Sequence, residues 1–406
     1  MHKIPMRVLV MGWTKIPHSY SIVNVFQLVH LRKNFPDLKL YIREEPYFRK
    51  EWATKTSDKL YPAEYYDILD SIEIWNGHEI DLIYSITYPY DINSLSISSG
   101  GSTKPIPKCV FYTSEFGKLD VNYFKINTSN RFIDDDFIQN HLHANKSIHF
   151  TCPSRWSQNG MKKYLVGDDS GSRNVVISHG VDTGIFKRLE NGKARRAIRK
   201  LYKVSDTDIL LCNIGAMTKN KGITLILEAL KVLVIDQGKT HYKLLLKGMQ
   251  DLYATRTFLD SYLLELGAPK SLYDNIIFLD NTLSCTKLNE IYNSIDLYLS
   301  PYIAEGFNLV PLEVMAAGTR VVLPRGGSTK EYTDILEGYN CISFVNCTLD
   351  IGSGCNQYKM QDLIDCIVNT RTDEPVDFKG VSDCISEKLS WNVSVRKLVE
   401  YFDKIV

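Results

Sequence analysis

The sequence predicts an α/β protein made of two doubly wound domains. Three observations predict it. Short β-branched and aromatic runs recur along the chain, separated by segments whose apolar residues repeat at helical spacing. The runs are continuous rather than alternating, as in a parallel sheet covered on both faces. The array also starts twice, before and after a basic stretch at 186–203.

In the first array, Arg7 to Met11 reads as a strand and Gly12 to Pro17 as a turn. Ser19 or Ser21 can cap a helix whose apolar positions are Ile22, Val23, Phe26 and Val29. Leu38 to Ile42, Asp81 to Ile86, Lys108 to Tyr112, Ser147 to Thr151 and Val175 to Ser178 are the further strands. Between the arrays, Lys187, Arg188, Lys193, Arg195, Arg196, Arg199, Lys200 and Lys203 crowd together. They read as a solvated linker and an exposed helix, because no aromatic apolar face accompanies the charge. In the second array, Asp208 to Ile214 is a strand closed by Gly215. Ile223, Ile226, Leu227, Leu230 and Leu233 mark an amphipathic helix. Tyr242 to Leu246, Ile276 to Leu279, Leu297 to Leu299 and Arg320 to Leu323 continue as strands.

Length and composition agree with this. The 406 residues suggest two or three domains, and 44% hydrophobic with 23% charged residues is ordinary for a globular chain. The 48 basic and 47 acidic residues leave a net charge of +1, which argues against a dedicated nucleic-acid binder. No apolar stretch approaches the ~18–20 residues of a membrane span. The start, MHKIPMRVLVMGW, lacks the apolar region and cleavage site of a secretory leader, so a cytoplasmic location is expected. Nine cysteines, an odd count without C-x-x-C, argue against a disulfide framework or a zinc site.

The most informative segment runs from Ser300 to Thr319. Asn308 can cap a helix, with Pro311 tolerated in its first turn and Gly318 at its stop. Glu305 then lies in the loop at the end of the preceding strand, and Glu313 just over one turn inside the helix. The helix start offers backbone N–H groups and a positive dipole end to a diphosphate. Glu305 can accept bonds from sugar hydroxyls, and Glu313 can hold the vicinal diol of a ribose. The bland alternative is an ordinary βα turn with two solvated glutamates.

Glu305 to Glu313 matches the E-x(7)-E signature of retaining glycosyltransferases, and the chain resembles their family 4. The Met-Ala-Ala-Gly-Thr-Arg-Val-Val run from Met315 and the Gly326-Gly327-Ser328-Thr329-Lys330-Glu331 turn agree. Asn213 to Gly222 is similar to the family's phosphate-binding segment, with Ala216 where Arg commonly stands. Leu389-Ser390-Trp391 resembles the start of its C-terminal helix.

The resemblance implies the GT-B fold, two Rossmann-like doubly wound domains facing across a cleft. Residues 1–185 would form the acceptor domain, 186–385 the nucleotide-sugar donor domain, and 386–406 a helix returning to the first. It implies transfer of a hexose from a nucleoside-diphosphate sugar to an acceptor hydroxyl with retention. No cofactor or metal is expected. GDP-mannose is the favoured donor, with a UDP-hexose as the other choice, and the acceptor is a glycan, glycoprotein or glycolipid.

Carried onto this chain, the resemblance gives Glu305, Lys221 and Glu115 catalytic roles. Lys221 would neutralise the departing diphosphate. Glu313, Gly306, Phe307, Asn308, Leu309, Gly215 and Lys247 would bind the donor, Lys247 replacing the missing Arg. In the first domain, Gly12, His18 and Ser19 are candidates for a phosphate loop or acceptor contacts, and His18 equally for a turn cap. Glu115 stands where relatives carry a His; it can orient the acceptor, act as its base, or cap a loop. His179 reads as a structural residue at the domain junction, and Arg155 and Trp156 as approaching the site. Asp134-Asp135-Asp136 contains a D-x-D pattern but reads as a helix start. A nucleotide-sugar-binding protein without turnover and an epimerase on the same fold are the rival functions.

Overall fold

The computed structural model describes residues 6–57, 59–99, 102–128, 132–167, 172–370, 372 and 374–406. Met1 to Pro5, the start of the segment read for a leader, lie outside the described residues. The chain divides into two units, Met1–Gly180 with Trp391–Val406, and Val181–Ser390.

In the first unit the apolar runs become Arg7–Gly12 (β1), Lys39–Glu44 (β2), Glu73–Ile74 (β3), Leu82–Ile86 (β4), Lys108–Phe111 (β5), Ile148–Cys152 (β6) and Asn174–Val176 (β7). They form one sheet in the order β7-β6-β5-β4-β1-β2-β3, every pair parallel. Val10 aligns with Ile42 on one side and with Tyr84 on the other, so strand order reverses between β1 and β4. In such sheets the crevice outside the carboxyl ends at the reversal is where ligands bind. Arg7 anchors the edge of this pair: its backbone N–H and guanidinium both donate to Asp81, just ahead of β4.

The helix Ser19–Asn34 (α1) follows β1. Its cap is not Ser19 or Ser21. His18 is extended at the cap position, and its Nδ1 accepts from the Tyr20 N–H at 3.2 Å. Ser19 is exposed and Ser21 is buried inside the helix. An imidazole one residue earlier reaches the orphan amide.

The second unit contains Ile209–Ile214 (β8), Tyr242–Lys247 (β9), Ile276–Leu279 (β10), Leu297–Leu299 (β11), Arg320–Pro324 (β12) and Ile342–Val345 (β13). Their order is β10-β9-β8-β11-β12-β13, again all parallel, with the reversal between β8 and β11. Leu211, Leu244, Leu297 and Val322 from four strands share one core with Leu227 and Leu230 of the helix Ile223–Lys231 (α2). An antiparallel hairpin, Cys347–Asp350 (β14) with Cys355–Tyr358 (β15), follows. β3, β13 and this hairpin are not anticipated from the sequence.

The basic stretch is partly structural. Arg195 and Arg199, on the helix Lys193–Leu201, converge on Asp296 at 2.6 and 3.0 Å, immediately ahead of β11. The Asp296 carboxylate also accepts the Leu210 N–H of β8.

The units meet in sequence at Gly180/Val181 and Ser390/Trp391, where 185/186 and 385/386 were expected. Val181 forms a parallel bridge with Ser390, and Phe186 packs on Tyr292, which keeps both within the second unit. Trp391–Ile405, the last helix, belongs to the first unit. Trp391 stacks on Phe26 at 5.6 Å, and Asn392 accepts from His30 Nδ1 at 2.8 Å with the ring in that tautomer.

Candidate functional site

Two loops leave the carboxyl ends of β8 and β11, the strands flanking the reversal in the second unit. Asn213 holds the strands together, its amide donating to the Leu299 carbonyl at 2.7 Å. Beyond β8 the chain makes a turn, Lys219–Lys221, before α2. The Asn220 carbonyl accepts the N–H groups of Ile303 and Ala304, and its side chain donates to the Ala304 carbonyl. The two loops are thereby stitched together backbone to backbone. Gly222 completes the junction: at φ 71° a Cβ there would collide with the Pro301 carbonyl oxygen.

This stitching brings Lys221 to Glu305, Nζ to Oε1, at 2.6 Å. The pair is largely buried, the lysine 23% and the glutamate 10% exposed at the side chain. Residues that are 84 apart in sequence become one charged unit.

Next comes the helix Leu309–Ala316, here α3. Asn308 does stand at its cap position, but in the left-handed region at φ 64°, and its side chain does not cap. The Asn308 amide donates instead to Ser300 Oγ at 2.9 Å, and its carbonyl accepts from Tyr332 Oη at 3.0 Å. The cap expectation is therefore corrected. A side chain tethered backwards to β11 leaves the first amides of α3, beginning with Leu309, without a side-chain cap. Gly306 and Phe307 are buried in the loop before it, Phe307 edge-on to Tyr332.

Glu313, one turn inside α3, is 8% exposed. Tyr292 Oη donates to its Oε2 at 3.0 Å. Burial pushes the carboxyl up to about 8, and the tyrosine bond offsets only part of this. Glu313 is thus mostly protonated at neutral pH, a group that can donate as well as accept. The sequence reads both glutamates as carboxylates; they are equally buried, and what differs is the partner, the Lys221 ammonium at Glu305 and the neutral Tyr292 phenol at Glu313.

Lys247 ends β9, beside Ile214 of β8, and its carbonyl accepts the Gly215 N–H at 3.1 Å. It too is only 8% exposed, and burial pushes its ammonium down to about 8 against the pull of Asp251. A Cβ on Gly215 would meet no atom within 4 Å, so the chain's own packing does not demand glycine there.

Local sequence marks neither of two residues that brace this site through three hydrogen bonds. Tyr358 Oη donates to the Tyr302 carbonyl at 2.6 Å, Asn356 Nδ2 to the same carbonyl at 3.2 Å, and the Asn356 N–H to the Ile303 carbonyl at 2.8 Å. The hairpin β14–β15 therefore holds the Glu305 loop as well. No local pattern marks them, because the contact closes across more than 50 residues.

In the first unit, Gly12 ends β1 where a Cβ would press on Asn24 Nδ2 at 2.8 Å and on the Ile86 carbonyl at 2.9 Å. Close packing of strand on helix explains this glycine. His18, besides capping α1, lies between Trp13 and Trp52, ring centroids 5.3 and 5.2 Å away. Glu115 sits on a turn closed by Ser114 Oγ on the Lys118 carbonyl, and Trp156 Nε1 donates to the Glu115 carbonyl at 2.8 Å. Trp156 therefore supports Glu115, and Arg155 is exposed. His179 is buried between the Phe111 and Trp391 rings, and burial lowers it to about 3. Asp134 caps the helix Asp135–Ala144 by accepting from the Phe137 N–H, while Asp135 pairs with Lys163 at 2.7 Å. Among the described residues no group of three or more acidic, His or Cys side chains is arranged to hold a metal, and no helix is long and apolar enough to cross a membrane.

Comparison with known proteins bears on the second unit first. Residues 208–343 match the family model described as glycosyl transferases group 1. An uncharacterized glycosyltransferase of Methanocaldococcus jannaschii is 28% identical over 156 residues, 38% of this chain and 37% of that protein. The lipopolysaccharide core biosynthesis mannosyltransferase LpsB of Rhizobium meliloti is 29% identical over 160 residues, 39% of this chain and 42% of that one. The chain thus spans about two-fifths of the length of these curated relatives. Among solved structures, Anabaena HepE in complex with UDP and glucose superposes with a TM-score of 0.61 at 14% identity, covering 98% of this chain and all (100%) of that one. Sucrose-phosphate synthase from Thermosynechococcus elongatus gives a TM-score of 0.61 at 12% identity, covering 98% and 99%. At such identities these two share the fold. On two Rossmann-like units of the GT-B type, the chain carries a domain of the glycosyl transferases group 1 family.

Proposed function

We propose that the chain is a retaining glycosyltransferase that moves a hexose from a nucleoside-diphosphate sugar to an acceptor hydroxyl without a metal ion. The observation that carries this reading is the meeting of Lys221 and Glu305 beside the uncapped start of α3, at the strand reversal of the matched domain. A diphosphate placed there gains the α3 amides and competes with Glu305 for the Lys221 ammonium. Lys247, next to the Gly215 loop, supplies a second cation where relatives carry Arg. Release of Glu305 from Lys221 turns its carboxylate to the hexose hydroxyls. Protonated Glu313 then offers both a donor and an acceptor to a ribose diol.

Chemistry follows from charge. As the anomeric bond breaks, negative charge grows on the diphosphate, and Lys221 with the helix amides stabilises it more in the transition state than before. Retention is proposed from the family resemblance, with the diphosphate itself taking the acceptor proton. Glu115 on its braced turn is the candidate for orienting the acceptor. HepE is solved with UDP-glucose, which supports a UDP-hexose donor, and LpsB by name is a mannosyltransferase, which supports mannose.

The test is calorimetric titration of the full chain with UDP-glucose, UDP and GDP-mannose, followed by proton NMR of the product formed with a mixed acceptor panel. Binding of one donor and a product of the same anomeric configuration in the presence of EDTA is expected. No binding of any of them, or an inverted product, overturns the reading.

A further inference from the structure

We infer that Tyr358 and Asn356, on the second strand of the hairpin β14–β15, are positioning residues for Glu305. They hold the loop that carries its carboxylate, and so set how tightly the site grips the hexose of a donor rather than its nucleotide. The hexose role of Glu305 rests on the transfer activity proposed above; the hold on the loop does not.

The hairpin begins at Cys347, beyond the matched residues 208–343. Tyr358 pairs with Cys347 and Asn356 with Leu349. Two residues apart on one strand, Tyr358 and Asn356 share a face. Tyr358 Oη and Asn356 Nδ2 both donate to the Tyr302 carbonyl, at 2.6 and 3.2 Å, which uses both of its lone pairs. The Asn356 N–H donates to the Ile303 carbonyl at 2.8 Å.

The same two peptide planes are held again through their N–H groups. The Ile303 and Ala304 N–H groups donate to the Asn220 carbonyl at 2.8 and 3.1 Å. A peptide unit is planar, so bonding both its C=O and its N–H fixes its orientation. The planes 302–303 and 303–304 are each fixed in this way. The next plane, 304–305, is held at its carbonyl by Asn220 Nδ2 at 3.1 Å. Tyr302 is buried, and its hydroxyl lies 3.1 Å from the Gly326 carbonyl and 3.2 Å from Thr329 Oγ1. That residue is thus tied at its side chain as well, and the backbone is set up to the amide of Glu305.

This matters when the ion pair opens. In the free chain the Lys221 ammonium holds the Glu305 carboxylate at 2.6 Å. A diphosphate that draws Lys221 away removes that restraint. The backbone is then what keeps the carboxylate aimed, and a group aimed beforehand binds without a further ordering cost. The groups proposed for the nucleotide side, Glu313 and Lys247, stand on α3 and β9 instead. Loosening Tyr302 and Ile303 therefore acts on the sugar contact.

The experiment joins hydrogen-exchange mass spectrometry of the full chain to calorimetric titration with UDP, UDP-glucose, GDP and GDP-mannose. Tyr358→Phe removes one bond to the Tyr302 carbonyl and Asn356→Ala the other. In each variant the Ile303 and Ala304 amides should exchange roughly three- to tenfold faster, the scale of one hydrogen bond, while β9 keeps the parent's rate. The nucleotide sugar that the parent binds should lose a similar factor in affinity, and its free nucleoside diphosphate should stay within about twofold. Gln357→Ala, at the exposed position between them, should change neither reading. Unchanged exchange at Ile303 and Ala304 in both variants, or equal losses for nucleotide and nucleotide sugar, would overturn the inference. A parent that binds none of the four sinks the proposed reaction and the hexose role with it. Donor binding with unchanged exchange in the variants sinks this inference alone.

Discussion

Lys221 Nζ lies 2.6 Å from Glu305 Oε1, and this contact joins the turn after β8 to the loop after β11. It is largely buried, so removing one partner leaves the other's charge uncompensated. Lys221→Ala should therefore lower stability by about 1–3 kcal/mol in denaturant unfolding. Turnover should fall by roughly a hundredfold, the scale of a lost transition-state contact, with a smaller loss in donor affinity. Equal losses in turnover and affinity would show that Lys221 holds ground and transition states alike.

Gly222 and Gly215 stand in the same segment but answer to different demands. At Gly222 the left-handed backbone and the Pro301 carbonyl exclude a side chain, and Gly222→Ala should cost more than about 1 kcal/mol in denaturant unfolding. At Gly215 there is room. Gly215→Ala should leave stability within about 0.5 kcal/mol while weakening donor binding in calorimetry. A Gly215→Ala protein that binds donor as the parent does would remove this residue from the site.

Glu313 makes stability depend on pH in a direction opposite to that of a salt-bridged carboxylate. Unfolded, it titrates near 4.5; folded, near 8. Between these values the folded state holds the extra proton, so this contribution falls as pH rises through the window and is flat outside it. The slope is at most about 1.4 kcal/mol per pH unit. Glu313→Gln should abolish it, which unfolding curves at pH 5 and 8.5 for both proteins would reveal.

Lys247 behaves in the mirror sense. Its ammonium titrates near 8 folded and near 10.5 unfolded, so its contribution to stability rises with pH across that interval. A diphosphate beside it would restore its proton. Binding of UDP at pH 8 should then take up a fraction of a proton, measured by calorimetry in buffers of different ionisation enthalpy. Lys247→Met should show no uptake.

The candidate site was legible in unequal parts. Glu305, Glu313 and the Lys221 segment stand in runs whose order and spacing already imply a strand, a loop and a helix start, so local sequence suffices. Asn308 was half legible: its position marks the helix start, but its side chain reaches back to Ser300, which spacing alone does not reveal. Tyr358 and Asn356 were invisible, because nothing near them in sequence says that a later hairpin returns to Tyr302.

What the sequence determined alone is the succession of elements, since strand and helix periods are properties of neighbouring residues. It also determined where the βα loops with charged residues fall. Tertiary structure alone decided which loops meet, and with that the state of each charge. Strand order places β8 beside β11 although 82 residues separate Ile214 from Leu297 in the chain. Only this adjacency pairs Lys221 with Glu305, and burial beside a neutral phenol rather than a cation turns Glu313 from an anion into an acid. Desolvation depends on what surrounds a group in space, and a linear chain does not contain that information locally.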